Sequence, residues 1–124
     1  MKLDFTSEKS IYLQIAENIE NDILRGTIEE ESQLPSTNEM AVIFKINPAT
    51  AGKGVSLLVD GGIAYKKRGI GMFVSGGAKV QIQKKRRRDF FENYVSALLC
   101  EAKDIGITRD EIVKMIKDGG ADNE

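Results

Sequence analysis

Three residues within one short stretch carry side chains suited to hydrogen bonding and charge neutralisation, and a small residue lies among them. Asn47 and Thr50 offer an amide and a hydroxyl, which can both donate and accept hydrogen bonds. Ala49 leaves room between them, and Lys53 adds a cation that can neutralise a phosphate. At the start of a helix, this set fits the base edges and phosphates of DNA. A helical hairpin in an ordinary core is the alternative that the same residues allow.

Two short helices joined by a tight turn are predicted to position these side chains. In the first helix, Ser36 and Glu39 have the spacing of a capping box. In the second, Asn47 can be the N-cap and Pro48 the first residue, where the missing N–H costs nothing. The second helix is predicted to end near Asp60, before a pair of glycines. This arrangement is typical of a helix-turn-helix, whose second helix enters the major groove by its N-terminal end.

A basic hairpin is predicted to follow the two helices. Residues 63–66 and 72–75 alternate as short strands do, and the glycines at Gly69 and Gly71 suit a tight turn. The same Gly-x-Gly pattern occurs in nucleotide-binding loops, but here no helix follows it to receive a phosphate. A basic hairpin in this position is a wing that reaches the phosphate backbone or the minor groove. The predicted wing contacts are Lys66, Lys67, Arg68 and Gly69.

The net charge of −1 averages over three unlike parts of the chain. Residues 1–33 hold three basic and eight acidic side chains, and residues 89–124 hold four basic and nine acidic ones. Residues 34–88 hold eleven basic side chains and two acidic ones. Chance clustering of surface cations is the alternative, but so uneven a distribution favours a face that binds nucleic acid.

Several chemistries are disfavoured by residues that the sequence lacks. It contains no histidine and one cysteine, Cys100, which disfavours zinc sites, histidine-based acid–base catalysis and an intramolecular disulfide. No nucleophile–base set is visible, so we expect no enzyme activity, no metal and no cofactor. No apolar run is long enough to span a membrane and no signal peptide is recognisable, so we expect a cytoplasmic protein without a membrane partner.

Helices are predicted on both sides of the basic part. Isoleucines four residues apart mark a scaffold helix over 10–25. A long tail helix is predicted over 82–103, and a shorter one, capped by Thr108, is predicted to end near Gly119. Residues 120–124 are expected to fray.

The long tail helix presents a basic run followed by an apolar face. The run at 84–88 has three interpretations: a solvated surface, a grip on phosphates beside the wing, or a patch for a membrane surface or targeting. The apolar face can pack against helix 10–25 or against the same tail of a second chain. A dimer is expected, with a monomeric core as the alternative. The predicted dimerisation residues are Phe90, Phe91, Tyr94, Val95, Leu98 and Leu99.

Residues 10–75 resemble the winged helix-turn-helix domain of GntR-family bacterial transcription regulators. Four motifs match in order and spacing: Ile11–Ala16, Leu34–Glu39, Ile46–Thr50 and Tyr65–Val74. The Asn-Pro-x-Thr start of the second helix and the short tail are similar to the YtrA-like branch. Asn38 departs from the family, many of whose members have a DNA-contacting arginine there, and Gly52 stands where many have a basic or larger residue. Gly52 and Gly54 each weaken this helix by roughly 1 kcal/mol relative to alanine.

The predicted fold is α+β and mostly helical, with a winged helix-turn-helix domain over 1–78 and a two-helix dimerisation and effector tail over 79–124. The predicted function is sequence-specific binding of double-stranded DNA by a transcription regulator, a homodimeric repressor on a palindromic operator. A two-fold dimer would set its recognition helices about 34 Å apart. Ser36, Thr37 and Asn38 are expected to position the duplex through its phosphates. A small-molecule effector at the dimer seam is compatible with the sequence, although no residue identifies one. The alternative function is a winged-helix module that binds another protein.

Overall fold

Isoleucines spaced four residues apart give α1 (Ile11–Leu24) a continuous apolar side, and this helix is the scaffold of the first part of the chain. In the computed structural model, which describes residues 2–119, α1 is followed by α2 (Thr37–Phe44), α3 (Pro48–Asp60), and the antiparallel strands β1 (Ala64–Lys67) and β2 (Gly71–Val74). The chain continues through α4 (Ala78–Phe90), a π-helical turn (Phe91–Val95), α5 (Ser96–Asp104) and α6 (Arg109–Gly119). The predicted fold class is confirmed. The predicted fraying of residues 120–124 lies outside the described part.

The core of the first part forms where α1 and α3 pack closely. Ile15 and Ile19 of α1 and Leu58 of α3 are buried in one cluster. A Cβ atom on Gly54 would lie 2.9 Å from the carbonyl oxygen of Tyr12 and 3.0 Å from Ile15 Cγ2. Gly54 therefore permits the close approach of the two helices, a role that its low helix propensity did not indicate.

The predicted helix-turn-helix is confirmed in its local hydrogen bonds. Ser36 Oγ accepts from the Glu39 N–H at 3.0 Å, and Glu39 Oε1 accepts from the Ser36 N–H at 3.1 Å, which completes the capping box. Lys45 ends α2 in a left-handed conformation, with φ of 56°. The Ile46 N–H donates to the carbonyl of Ala41 in α2 at 3.0 Å. This hydrogen bond holds the turn between α2 and α3 against the end of α2.

Each strand of the hairpin has the predicted length of four residues but lies one residue nearer the loop than the sequence indicated, which makes the loop shorter. Its strands pair from Ala64 with Val74 to Lys67 with Gly71. The Ile70 N–H donates to the Lys67 carbonyl at 3.0 Å and closes the loop. The loop between the last paired residues, Lys67 and Gly71, is therefore 68–70.

The segment over 29–34, which precedes α2 and is called the acidic segment below, pairs with the hairpin. The Glu31 N–H donates to the Val74 carbonyl and the Leu34 N–H donates to the Met72 carbonyl, each at 2.8 Å. Gln33 forms an isolated bridge with Phe73. These contacts tie the hairpin to the chain that leads into α2.

Helix α4 begins at Ala78, earlier than the predicted start at 82, because its first turns pack into the core. Ala78 and Ile82 are fully buried. Glu30 caps this helix from a distant part of the sequence: its carboxylate accepts from the Gly77 N–H at 2.9 Å and from the Lys79 N–H at 3.0 Å. These two hydrogen bonds lower the pKa of Glu30, and the one from Gly77 has the larger effect.

Packing divides the chain between Lys84 and Lys85. In the second part, over 85–119, the buried apolar residues are Ala102 of α5 and Ile112 of α6. The predicted functional boundary at 78 remains a prediction, because packing alone does not say where each function resides.

The last helix begins as the sequence predicted. The Glu111 N–H donates to Thr108 Oγ1 at 3.2 Å, and the Thr108 N–H donates to Glu111 Oε1 at 3.1 Å. The pKa of Glu111 is lowered first by the hydrogen bond from the Thr108 N–H and then by one from the Thr108 hydroxyl, which donates to the same Oε1 atom at 3.0 Å. None of the helices within 2–119 combines the length and the apolar composition that crossing a membrane would require.

Candidate nucleic-acid interface

The first turn of α3 carries the residues predicted to face base edges. Asn47 is the N-cap, and its Oδ1 accepts from the Ala49 N–H at 2.8 Å. Since the cap uses only the oxygen, the side-chain NH₂ group remains to donate a hydrogen bond. Asn47 and Ala49 are exposed and Thr50 is half-buried. This turn can therefore approach a ligand closely while keeping its cap.

Lys53, one turn further along α3, lies over an aromatic ring of α1. Its Nζ atom is 4.4 Å from the centroid of the Tyr12 ring. At this distance the ring face attracts the ammonium group. Lys53 is exposed and Tyr12 is half-buried, so the cation remains accessible to solvent.

The start of α2 presents three polar side chains. Ser36 and Asn38 are exposed, and Thr37 is half-buried. The Ser36 oxygen already accepts from Glu39, so its hydroxyl proton is what it can offer to a phosphate. Asn38 adds an amide without a charge.

A groove of about 360 Å³ lies between the two helices and the hairpin. The side chains in its lining that form hydrogen bonds or carry charge are those of Thr37, Ser56, Asp60 and Lys66. Gly52 also lines it, and a Cβ atom there would have Thr37 Cγ2 at 3.9 Å as its nearest neighbour. The absence of a side chain at Gly52 therefore widens this groove.

The wing cations stand on an ordered hairpin. Lys66, Lys67, Arg68 and Gly69 are all exposed. Gly69 has φ of +78°, a left-handed conformation that suits glycine at the tip of the loop. Lys67 Nζ lies 4.4 Å from the centroid of the Phe73 ring.

Aromatic contacts connect the wing to the acidic segment. The rings of Tyr65 and Phe73 are stacked, with centroids 6.0 Å apart. The Tyr65 hydroxyl donates to the Glu31 carboxylate at 2.8 Å, and this hydrogen bond is the largest cause of the raised pKa of Tyr65. Phe73 is thus held between its own strand, Tyr65 and Lys67.

The structure brings the predicted helix and wing residues together in the part of the chain that ends at Lys84. The predicted dimerisation residues lie in the other part. Phe90 is 55% exposed and Tyr94 is 65% exposed, and their ring centroids are 5.4 Å apart. Phe91 and Leu98 are also exposed, and Val95 and Leu99 are half-buried. The roles of both sets in binding remain predictions.

Sequence reasoning treated Tyr12 and Phe73 as packing residues and missed their contacts with Lys53 and Lys67. Strand alternation places Phe73 opposite Tyr65 and diagonal to Lys67, so that contact could have been found. No periodic signal joins Tyr12 to Lys53, because the two residues lie on separate helices. Among residues 2–119, His, Cys, Asp and Glu side chains form no group of three or more that could hold a metal ion.

Comparisons with known proteins match this arrangement. Residues 11–74 match the profile of a family described as bacterial regulatory proteins, gntR family. YhcF of Bacillus subtilis, an uncharacterized HTH-type transcriptional regulator, is 34% identical over 119 residues, which cover 94% of this chain and 95% of YhcF. The HTH-type transcriptional repressor YtrA of the same organism is 28% identical over 122 residues, covering 98% of this chain and 93% of YtrA.

Solved structures give the same result. A putative GntR-family transcriptional regulator from Bacteroides thetaiotaomicron has a TM-score of 0.76 and 37% identity, over 93% of this chain and all of that one. The DNA-binding domain of AraR, solved in complex with the operator ORX1, has a TM-score of 0.53 and 29% identity. That similarity covers 60% of this chain and 96% of the AraR domain.

Proposed function

This chain belongs to the GntR family of bacterial regulatory proteins and is a DNA-binding transcription regulator of the YtrA-like kind, and we propose that it acts as a homodimeric repressor on a palindromic operator. The observation that carries the proposal is the exposed first turn of α3, on a helix that shares a groove with Lys66 of the basic wing. YtrA is a repressor, and this relationship supports repression rather than activation. The cytoplasm is the proposed location, because the DNA partner is found there.

The proposed base contacts lie at the start of α3. The free NH₂ group of Asn47 suits an acceptor on a base edge, and the exposed Ala49 allows a close approach. Thr50 adds a hydroxyl that can contact a base or a phosphate. Lys53 lies one turn deeper and is assigned to a phosphate.

The proposed phosphate contacts flank the groove between the helices and the wing. Ser36, Thr37 and Asn38 approach one strand from the α2 side, and Lys66 lines the groove from the hairpin. A DNA backbone that passes between the major and minor grooves would follow this path. The remaining wing contacts are assigned to Lys67, Arg68 and Gly69.

The proposed dimer contact lies in the tail. Within 85–119, Ala102 and Ile112 are the buried apolar residues, too few to support a stable fold alone. The exposed aromatic rings of Phe90, Phe91 and Tyr94 are suited to burial against a second copy. We include a small-molecule effector among the proposed partners, supported by a groove of about 390 Å³ at α5 and α6, which is in the range of small-molecule sites.

The test is the salt dependence of binding to double-stranded DNA. The unmodified chain is expected to lose affinity steeply as salt rises, because each neutralised phosphate contributes about 0.9 to the log–log slope. Lys53→Ala and Arg68→Ala should each weaken binding and lower the slope by about 0.9. Arg25→Ala is the matched control, because it removes an exposed arginine from the acidic residues 1–33. It should leave the slope unchanged. Unchanged affinity in both test variants would contradict the assignment.

A further inference from the structure

Two lysines assigned to DNA contact share the same arrangement with an aromatic ring. Lys53 Nζ lies 4.4 Å from the centre of the Tyr12 ring, and Lys67 Nζ lies 4.4 Å from the centre of the Phe73 ring. One pair joins two helices, and the other lies within the wing. The same device therefore occurs on both elements that are proposed to contact DNA.

The aromatic faces restrict cations that would otherwise move freely. An exposed lysine has many rotamers, and ordering it on binding costs free energy. A ring face within about 6 Å attracts the ammonium group and stabilises a subset of those rotamers. Because both lysines remain exposed, each can still meet a phosphate from above its ring.

The structure also fixes the supports of the two rings. Tyr12 lies where α1 and α3 approach so closely that its carbonyl oxygen would be 2.9 Å from a Cβ atom on Gly54. Phe73 stacks on Tyr65, whose hydroxyl is bound by the Glu31 carboxylate. The backbone that carries Tyr12 is therefore fixed by helix packing, and the Phe73 ring is held by its stacking on Tyr65.

We infer that Tyr12 and Phe73 are positioning residues that preorganise Lys53 and Lys67 for the DNA phosphates. The inference rests on the proposed function, which assigns these two lysines to the phosphate backbone. Beyond that function, the inference states that DNA affinity depends on the two aromatic residues. They act through the lysines that they position and make no DNA contact themselves.

The experiment compares Tyr12→Leu and Phe73→Leu with the unmodified chain, by anisotropy titration of labelled duplex DNA over a range of salt concentrations. Each variant is expected to bind about twofold to fivefold more weakly, the factor that corresponds to an exposed cation–ring contact. The salt slope should stay the same, because the number of cations is unchanged. Lys53→Ala, in contrast, should flatten the slope.

A double-variant cycle separates positioning from a general effect on folding. In the Lys53→Ala background, Tyr12→Leu should have no further effect on affinity, because the cation that it positions is gone. Tyr12→Phe keeps the ring face and should restore most of the affinity lost in Tyr12→Leu. Thermal unfolding of each variant without DNA shows that the proteins compared are folded. If Phe73→Leu does not fold, the Tyr12 variants alone test the inference.

Three results would overturn the inference. Tyr12→Leu could bind as tightly as the unmodified chain, or more tightly if the ring holds Lys53 away from DNA. The loss could also persist in full in the Lys53→Ala background, which would indicate a structural effect. Binding of the unmodified chain in the same titration tests the proposed function separately, so that the two failures are distinguishable.

Discussion

The side chain of Asn47 serves both the fold and the proposed contact with DNA. Its oxygen caps α3 by accepting from the Ala49 N–H, while its NH₂ group is left to donate. Aspartate caps a helix about as well as asparagine and carries two acceptor oxygens but no donor. The two roles can therefore be separated by one substitution.

We predict that Asn47→Asp retains the stability of the free protein and loses DNA affinity. The cap survives, whereas the donor is lost and a negative charge is placed against DNA, which should cost about 1–3 kcal/mol of binding or more. Thermal unfolding and a DNA titration measure the two effects. Asn93→Asp, which adds the same charge on the tail, is the control. Equal loss of stability and affinity would mean that Asn47 acts only as a cap.

At the scale of the element, the two glycines of α3 have different surroundings. A Cβ atom on Gly52 would make an ordinary contact with Thr37, whereas one on Gly54 would press against α1. Helix propensity alone treats the two positions alike, and the packing of the neighbouring helix distinguishes them.

We predict opposite effects of alanine at these two positions. Gly52→Ala should stabilise the free protein by about 0.5–1 kcal/mol, because glycine is the weaker helix former. Gly54→Ala should destabilise it by about 1–3 kcal/mol, because the added methyl group must force α1 and α3 apart. Urea unfolding without DNA measures both changes. Shifts in the same direction would contradict the close packing of α1 against α3.

Glu30 is expected to make the capping of α4 dependent on pH. Its pKa lies below the ordinary value of 4.5, because the Gly77 and Lys79 N–H groups stabilise the charged carboxylate. The stabilisation is therefore fully present above a pH of about 4.5 and is lost as the pH falls through the lowered pKa.

We predict that Glu30→Gln lowers the unfolding midpoint near neutral pH and that its difference from the unmodified chain disappears in acid. Other carboxylates are common to both proteins and cancel in the comparison. Glu29→Gln removes the neighbouring exposed carboxylate and should change the midpoint little at any pH. A difference of constant size across the pH range would show that the charge of Glu30 does not cap the helix.

The elements predicted correctly from sequence are those specified by residues a few positions apart. The capping boxes at Ser36 and Thr108 and the N-cap at Asn47 each depend on one turn of chain, so spacing alone found them. The start of α4 could not be placed in this way, because Glu30 reaches it across 47 residues. The same limit applies to Tyr12 and Lys53, which only the packing of α1 on α3 brings together.

For the whole molecule, the proposed dimer explains the exposed apolar surface of the tail. We predict that Tyr94→Glu raises the dissociation constant of the dimer by at least about tenfold, because a carboxylate would be buried without a partner. Val42→Glu is the matched control, since Val42 is an apolar residue that is 78% exposed on α2. Sedimentation equilibrium measures both constants. A monomeric unmodified chain, or equal dissociation in the two variants, would contradict the proposed interface.

The distribution of charge is also a property of the whole molecule. The net charge of −1 conceals a basic segment between two acidic ones, and the helix-turn-helix and wing lie within that segment. Sequence counting found this pattern because charge needs no knowledge of contacts. It did not reveal that two glutamates of the acidic residues 1–33 hold basic elements in place. Glu30 caps α4, and Glu31 accepts a hydrogen bond from Tyr65 of the wing.

Dimeric binding to a specific operator can be measured by selection of binding sites from a random double-stranded DNA library, followed by sequencing, at two salt concentrations. We predict an enriched inverted repeat, with half-site centres separated by about one helical turn or a multiple of it, bound by two chains. Enrichment should weaken as salt rises. No enriched sequence, or a single half-site bound by one chain, would contradict a dimeric operator-binding regulator.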